Sequence, residues 1–293
     1  MVNYRLFINL SKPFHLLLSS LTYTLGAGMA HYLGHPFHAV TFGMGLLIVL
    51  VIQVAGHWLV EYFRLAFTTL EINETHRERD LFRASLLYSA TALLTVAGAI
   101  IMTLGLEKLL MLPVWILLGL IILIYVAYAI PPFRLHEVGY GELIQAIALG
   151  TLFPAFAFHI QFLEFHRLVT FVTFPLTLLA LAYFLVEDFV RYGADIRLGR
   201  KTLLTRLSWQ RAIPIHHLLV LAAFLLFAIS PLFGFPWGLI WPVYLALPFA
   251  LFQVIWLQNI ARGGRAQWKI LVPFSAAVFG LIGYLLTVSF WIR

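Results

Sequence analysis

The sequence predicts an all-α integral membrane protein, with about nine transmembrane helices around a central chamber that opens to the cytoplasmic side. Composition is the first indication: 62% of the 293 residues are hydrophobic and only 11% are charged, whereas average soluble domains carry roughly 25% charged residues. The second is that apolar stretches of about 20 residues recur along the whole chain, which is the length that a helix needs to cross a bilayer. We expect one transmembrane domain over residues 1–293 and no soluble domain.

Nine apolar stretches are long enough to span a membrane. Pro131 and Pro132 end the fourth, because proline lacks an amide donor and disfavours helix before it. Gly139 and Gly141 then permit a tight turn into the fifth. The predicted spans are 14–33, 39–63, 83–105, 109–129, 141–163, 167–190, 213–233, 237–259 and 268–291.

Basic residues fall on one side of these spans. With the N-terminus in the cytoplasm, all but Lys108, Arg167 and Arg293 of the 19 Lys and Arg residues are cytoplasmic, as the positive-inside rule requires. We therefore expect a multi-pass protein of the cytoplasmic membrane with its N-terminus inside. The net charge of +7 is explained by these flanking residues, so no nucleic-acid partner is expected. The absence of cysteine excludes disulfides and thiolate chemistry.

Two helix ends carry unusual sets of charged residues. His57, Glu61, Arg64 and Thr68 are spaced to share one helical face, and so are Asp188, Arg191 and Asp195, with Glu187 adjacent. Carboxylates facing a polar chamber can hold divalent cations that clamp a diphosphate, because hard cations prefer oxygen ligands. The same residues could instead be interfacial charges that pair with one another. Spacing alone leaves both interpretations open.

Two other features also allow two interpretations. His57 lies one turn before Glu61 and could accept a proton during catalysis, or it could hydrogen-bond a neighbouring helix. The charged segment between the second and third spans could cap the chamber or be a solvated loop. Its charged and polar residues are Asn73, Glu74, His76, Arg77, Glu78 and Arg79.

Four short motifs carry a resemblance to a known family. They are Lys12-Pro13, the run Tyr-Ala-Ile-Pro-Pro-Phe-Arg-Leu at 128–135, Gly-Tyr-Gly-Glu-Leu at 139–143, and Asp195-x-x-x-Gly-Arg-Lys-Thr-Leu ending at Leu203. Because it carries these motifs in this order, the chain resembles the UbiA superfamily of intramembrane prenyltransferases over nearly its full length. The resemblance implies nine spans, a polyprenyl diphosphate donor and an acceptor that is aromatic or another lipid precursor. It also implies magnesium held by two aspartate-rich motifs, at the ends of the second and sixth spans.

The resemblance assigns roles to residues of this chain. Glu61, Asp188 and Asp195 stand at motif positions and are the expected catalytic carboxylates and metal ligands. Tyr128 and Arg134 belong to the loop at the expected cytoplasmic mouth, where they would contact the diphosphate with Arg200 and Lys201. The bilayer is the remaining expected partner, and the sequence names no protein partner.

The motifs depart from the family at two positions. Arg64 and Arg191 stand where the family carries aspartate, and arginine stays protonated in proteins. We therefore expect magnesium affinity to be weak or absent. Either Arg64 and Arg191 bind the diphosphate directly and the chain is a prenyltransferase, or they pair with the carboxylates. In the second case the chain is a non-catalytic relative that binds or transports an isoprenoid or lipid. Charge concentrated at one membrane face argues against a transporter with a midplane site.

Overall fold

The computed structural model describes residues 4–64, 76–162 and 164–293, with the backbone alone at 4–5 and 76–79. These residues form helices and no β-strand. The helices are α1 (Tyr4–Leu10), α2 (Pro13–Tyr32), α3 (Ala39–Phe63), α4 (His76–Leu106), α5 (Leu112–Ala129), α6 (Leu135–Val138), α7 (Gly141–Ile147), α8 (Phe153–Gln161), α9 (Arg167–Phe189), α10 (Tyr192–Arg197), α11 (Leu203–Leu207), α12 (Trp209–Ile229), α13 (Trp237–Ile240), α14 (Leu247–Ala261) and α15 (Trp268–Ile292). A π-turn over Ala148–Leu152 joins α7 to α8 into one span.

Eight helical segments of the described residues are long and apolar enough to cross a membrane. They coincide with the last eight predicted spans to within a few residues, so the chain is a multi-pass integral membrane protein. The first predicted span is also helical, as the 20-residue α2, but its Ser, Thr, Gly and His residues make it less apolar than the others. The count of nine spans stays a prediction.

Helix α2 lies inside the bundle, packed against α8 and α15. Its small residues permit this, as is common where membrane helices approach closely. A side chain at Gly26 would collide with the backbone of Pro154, and one at Gly28 would come within 2.6 Å of the Trp291 indole. By contrast, only 17% of the α4 span is buried inside the protein, so most of α4 faces the surroundings.

A hydrogen-bonded network of polar side chains joins α12, α14 and α15 within their spans. Gln253 Nε2 donates to His216 Nε2 and to Ser275 Oγ, both at 2.9 Å. The Nδ1 atoms of His216 and His217 lie 3.3 Å apart, and His217 Nε2 is 3.2 Å from Gln258 Oε1. Since each neutral imidazole has one donor and one acceptor, a single direction of donation satisfies the chain from Gln253 to Gln258. We call these five residues the histidine–glutamine network.

The structure corrects two sequence expectations about helix ends. Helix α3 ends at Phe63, and Arg64 is its C-cap with an extended ψ of 141°. The helical face predicted through Thr68 therefore stops at Arg64, and Thr68 itself lies outside the described residues. Asp188, Arg191 and Asp195, which were predicted to share one helix face, do not lie on one continuous helix, because α9 ends at Phe189 and α10 begins at Tyr192. The amide of Arg191 donates to Asp188 O at 3.0 Å, an i+3 bond that tightens the last turn and separates α9 from α10.

Candidate functional site

The motif-bearing segments meet at one end of the bundle. The Arg134 guanidinium, in the α5–α6 turn, donates from Nη2 to the carbonyl of Phe63 at 2.7 Å and so ties this turn to the end of α3. An isolated parallel bridge joins Val138 to Lys201. The Arg206 guanidinium lies 4.6 Å from the centre of the Tyr140 ring. Segments far apart in sequence thus form one surface at the ends of α3, α5, α7 and α9.

Gly139 is required for this junction. Its φ is +86°, a left-handed conformation that only glycine adopts without strain, and a Cβ there would lie 2.7 Å from the Arg206 side chain. The glycine predicted from the sequence to permit the turn into the fifth span therefore also permits contact between two motif segments.

The first motif carboxylate is already paired with an arginine. Glu61 is buried on α3 and accepts a hydrogen bond from Nη2 of Arg64, three residues later. Burial lowers the pKa of the Arg64 guanidinium, and the Glu61 carboxylate opposes this shift. An arginine remains a cation through such changes, so it neutralises Glu61 at all working pH values.

The second motif carboxylate has the same kind of partner. Asp195 is only 4% exposed on α10, and its Oδ1 lies 3.7 Å from Nη1 of Arg200. Burial raises the pKa of the Asp195 carboxyl, while the charges of Arg200 and Arg191 oppose the rise. Arg191 and Lys201 are exposed at this end of the protein.

Helix α2 contributes two groups that sequence reasoning did not include in the site. His15 Nε2 lies 3.0 Å from Glu187 Oε2 of α9. A carboxylate can only accept, so Nε2 donates and the lone pair of a neutral His15 is at Nδ1, which is buried and has no hydrogen-bond partner within 4–64, 76–162 and 164–293. One turn earlier, burial lowers the pKa of Lys12, but Glu187 and other acidic neighbours outweigh it, so the pKa of Lys12 is raised. A histidine just after Lys12-Pro13 was the available sequence signal.

His57 is bound to another helix. Its Nε2 lies 3.3 Å from Gln145 Nε2 of α7, and Gln145 Oε1 lies 3.5 Å from the hydroxyl of Tyr125. Because the amide nitrogen can only donate, Nε2 of His57 accepts and its proton is at Nδ1. This geometry matches the interhelical role that the sequence left open for His57. Its role as a proton acceptor stays a prediction.

The remaining predicted residues take different positions. Tyr128 is buried, and its carbonyl accepts a 2.6 Å hydrogen bond from His136 Nδ1. Asp188 lies near the carboxyl group of Glu142, and Oδ2 of Asp188 is buried without a hydrogen-bond partner among the described residues. The predicted capping segment at residues 73–79 lies outside the residues whose side chains the structure describes.

Several buried polar atoms at this end have no hydrogen-bond partner among the residues that the structure describes. The protein carries more such donors and acceptors here than folding alone requires, because unpaired buried polar groups cost free energy. We call the residues that bear them the open polar cluster: His15, Gln53, His57, Glu61, Arg134, Glu142 and Asp188.

The described residues do not fit the magnesium site that the resemblance implies. No group of three His, Cys, Asp or Glu side chains able to hold a metal is found among them. Glu61 and Asp195 each face an arginine instead of each other. A cation placed between these carboxylates would have to displace the Arg64 and Arg200 guanidiniums that already neutralise them.

Several solved structures share the fold of this chain. A UbiA homologue from Aeropyrum pernix K1 aligns with a TM-score of 0.60 and 17% identity, over 94% of this chain and 97% of that one. A structure of digeranylgeranylglyceryl phosphate synthase aligns with a TM-score of 0.61 and 13% identity over both full lengths. A UbiA homologue from Archaeoglobus fulgidus, bound to DMAPP and Mg²⁺, aligns with a TM-score of 0.58 and 16% identity, over 96% of this chain and 99% of that one.

No curated protein matches the sequence significantly. The model of the UbiA prenyltransferase family, however, matches residues 71–289, which is well over half of the chain. This match includes α5 to α11, and so it covers the loop from Tyr128 to Leu143 and the segment from Asp195 to Leu203. The chain therefore belongs to the UbiA prenyltransferase family.

Proposed function

We propose that this protein transfers a prenyl group from a polyprenyl diphosphate to an acceptor inside the membrane. The observation that carries the proposal is the convergence of basic side chains from α3, the α5–α6 turn and the α10–α11 segment beside the open polar cluster. The family membership and the DMAPP bound by the Archaeoglobus homologue support a prenyl diphosphate as the donor.

The diphosphate binds to guanidinium and ammonium groups. Arg64, Arg134 and Arg200 each have an anchored side chain at this end of the bundle. Arg191 and Lys201 add two exposed cations from the same side. The planar fork of arginine matches two phosphate oxygens at once, so a ring of arginines recognises a diphosphate geometrically as well as by charge.

The same cations assist bond cleavage. When the bond between the first carbon of the donor and its oxygen breaks, the electron pair leaves with the diphosphate, whose negative charge increases. Fixed cations stabilise that charge more in the transition state than in the ground state. The allylic cation is then attacked by the acceptor, while apolar walls exclude water.

His15 is the proposed acceptor of the proton that the alkylated acceptor loses. Glu187 fixes the tautomer by accepting from Nε2, which leaves the buried Nδ1 lone pair able to take a proton. His57 Nε2 already accepts from Gln145, so His57 would first have to break that bond. The ring centres of the two histidines are 6.0 Å apart, and the hydrogen bond to Gln145 gives His57 a positioning role beside His15.

The proposed diphosphate site works without magnesium, since arginines occupy the faces of the carboxylates that a metal would need. A second function is favoured by the same pairs. Glu61 with Arg64 and Asp195 with Arg200 could form a closed ion-pair network, and the protein would then bind an isoprenoid without converting it.

Binding and ionisation of geranylgeranyl diphosphate separate the two functions. The purified protein is heated in detergent with the diphosphate, in magnesium or in EDTA, and geranylgeraniol serves as the control without phosphate. We expect equal stabilisation in both buffers, and release of diphosphate over hours in the absence of acceptor. Binding without release would favour the non-catalytic function, and strict dependence on magnesium would contradict the proposed site.

A charge-reversed variant tests whether arginines at the motif positions are the cause of magnesium independence. Arg64→Asp combined with Arg191→Asp restores carboxylates at both motif positions, so the double variant should require magnesium for binding. The matched control is Arg197→Asp, because Arg197 is exposed and donates to its own helix at Gly193 O. If diphosphate binding to the double variant did not depend on magnesium, this end of the protein would not be a modified magnesium–diphosphate site.

A further inference from the structure

A cavity of about 670 Å³ lies beside the proposed diphosphate site, between the end of α3, the start of the α4 span and the α5–α6 turn. Arg64, Arg83 and Arg134 line it, with Asp80 as its acidic residue among those described. Both neighbouring spans end at this level, since α3 stops at Phe63 and the apolar part of α4 starts at Asp80. The cavity therefore lies where the membrane meets the aqueous phase.

The charge of this cavity suits an anion. Among the described lining residues, three guanidiniums against one carboxylate leave an excess of positive charge, even though Arg64 also pairs with Glu61. Arg134 is held at the cavity by two hydrogen bonds, from Nη1 to Glu137 and from Nη2 to the Phe63 carbonyl, so its positive charge is fixed in the lining.

The wall that α4 provides changes character along the helix. Asp80, Arg83, Leu87 and Tyr88 lie on one face at helical spacing, with the charged residues at the aqueous end and the apolar ones toward the membrane. Tyr88 is 74% exposed, and the α4 span is the least buried of the eight. A ligand there would have a charged head and at least one apolar chain that runs along α4.

We propose that this cavity binds the phosphate headgroup of an anionic bilayer phospholipid, with an acyl chain along Leu87 and Tyr88. Basic pockets between membrane helices recognise such headgroups by charge, and the arginine fork adds hydrogen bonds to the phosphate. A free phosphate would not use the apolar wall of α4. The cavity shares Arg64 and Arg134 with the proposed diphosphate site, whereas Arg83, Leu87 and Tyr88 take no part in that site and therefore distinguish the two ligands.

Lipid retention tests the proposal. The protein in detergent is titrated with dioleoylphosphatidylglycerol or dioleoylphosphatidylcholine, and bound lipid is counted by native mass spectrometry. We expect retention of the anionic lipid, and about fivefold weaker affinity in Arg83→Gln, as the loss of one basic contact at a membrane surface predicts. Arg265→Gln removes the same charge from an exposed position outside the cavity and should leave the affinity unchanged.

Two further measurements sharpen the result, and the first does not depend on the folding of Arg83→Gln. Asp80→Asn removes the carboxylate that repels an anion and should tighten binding of phosphatidylglycerol. Geranylgeranyl diphosphate should bind Arg83→Gln as it binds the original protein. Equal retention of both lipids, or equal effects of the Arg83 and Arg265 substitutions, would overturn the proposal. A loss of diphosphate affinity that parallels the loss of lipid affinity would overturn it too, and would assign the cavity to the prenyl donor.

Discussion

The open polar cluster and the histidine–glutamine network are both buried, polar and built from membrane helices, yet they differ in hydrogen bonding. No buried side-chain atom of the histidine–glutamine network lacks a partner, whereas each of the seven residues of the open polar cluster carries an atom without one in the described part of the chain. A satisfied network holds helices together, because breaking it leaves unpaired groups in an apolar medium. Unsatisfied buried groups cost stability in the free protein and remain available to a ligand.

The charges divide in the same way. The network contains no carboxylate, lysine or arginine, while the open polar cluster lies beside Arg64, Arg200 and Lys12. A helix-locking function needs only neutral hydrogen bonds, since charge inside a membrane is expensive and usually functional. The contrast therefore assigns structure to one buried polar region and ligand binding to the other.

The largest expected effect concerns the charged side of this contrast. Arg64→Gln combined with Arg200→Gln removes two guanidiniums from the proposed diphosphate site and should weaken binding of geranylgeranyl diphosphate by about a hundredfold or more, at about 1.5–3 kcal/mol for each charged hydrogen bond. Isothermal titration calorimetry measures the change. Arg197→Gln, on the exposed side of α10, is the matched control. Equal affinity in the double variant would show that these arginines serve only their ion pairs.

The second prediction compares two buried glutamines directly. Gln253→Leu leaves His216 Nε2 and Ser275 Oγ without a donor and should lower the free energy of unfolding by about 1–3 kcal/mol. Gln53→Leu, at a residue equally buried but with an unpartnered Oε1, should change stability much less. Unfolding of both variants in SDS–detergent mixtures gives the comparison. Similar losses would mean that Gln53 has a structural partner and that the two regions do not differ as described.

The third prediction concerns the loop that holds the open polar cluster together. Gly139→Ala places a Cβ on a left-handed residue and against Arg206, so it should destabilise the protein by about 1–2 kcal/mol. Gly193→Ala is the control, since nothing lies within 4 Å of a Cβ there and its φ is not positive. Thermal unfolding of the two variants should differ accordingly. If Gly139→Ala were as stable as the control, close contact between residue 139 and Arg206 of α11 would not be needed for stability.

The smallest effect is a dependence on pH. Burial raises the pKa of the folded-state Asp195 above its unfolded value of 3.8, so the folded form binds this proton more tightly. Its contribution to stability is therefore present below that value and is lost as the pH rises through the folded pKa. Asp195→Asn should match the original protein in acid and gain relative stability toward neutral pH. Melting temperatures across this range measure the difference; a relative loss at neutral pH would mean that the Arg200 pair outweighs burial.

Much of the fold could be predicted from the sequence. Hydropathy located eight spans, and Pro131, Pro132 and Gly139 marked the turn between the fourth and fifth. The helix ends near the charged motifs were harder to predict, because ideal helical spacing cannot show where an i+3 hydrogen bond tightens a turn. Asp188 and Asp195 were thus assigned to one face although α9 and α10 are separate helices.

The candidate site was predictable only in part. The sequence indicated Glu61, Arg64, Asp195 and Arg200 as one charged region, and the structure pairs them within their own segments. His15 was not identified, since a single histidine at a helix start has no pattern that connects it to Glu187, 172 residues away.

The sequence by itself determined that this chain is a membrane protein, which segments are helical and which motifs it shares with the UbiA family. These properties follow from local composition and from residues close together in the chain. The tertiary structure decided which carboxylates are neutralised, which histidine has a lone pair available and where an arginine-lined cavity forms. Those outcomes depend on the packing of α2, α3, α7 and α9 against one another, and no local pattern encodes the distance between two side chains on different helices.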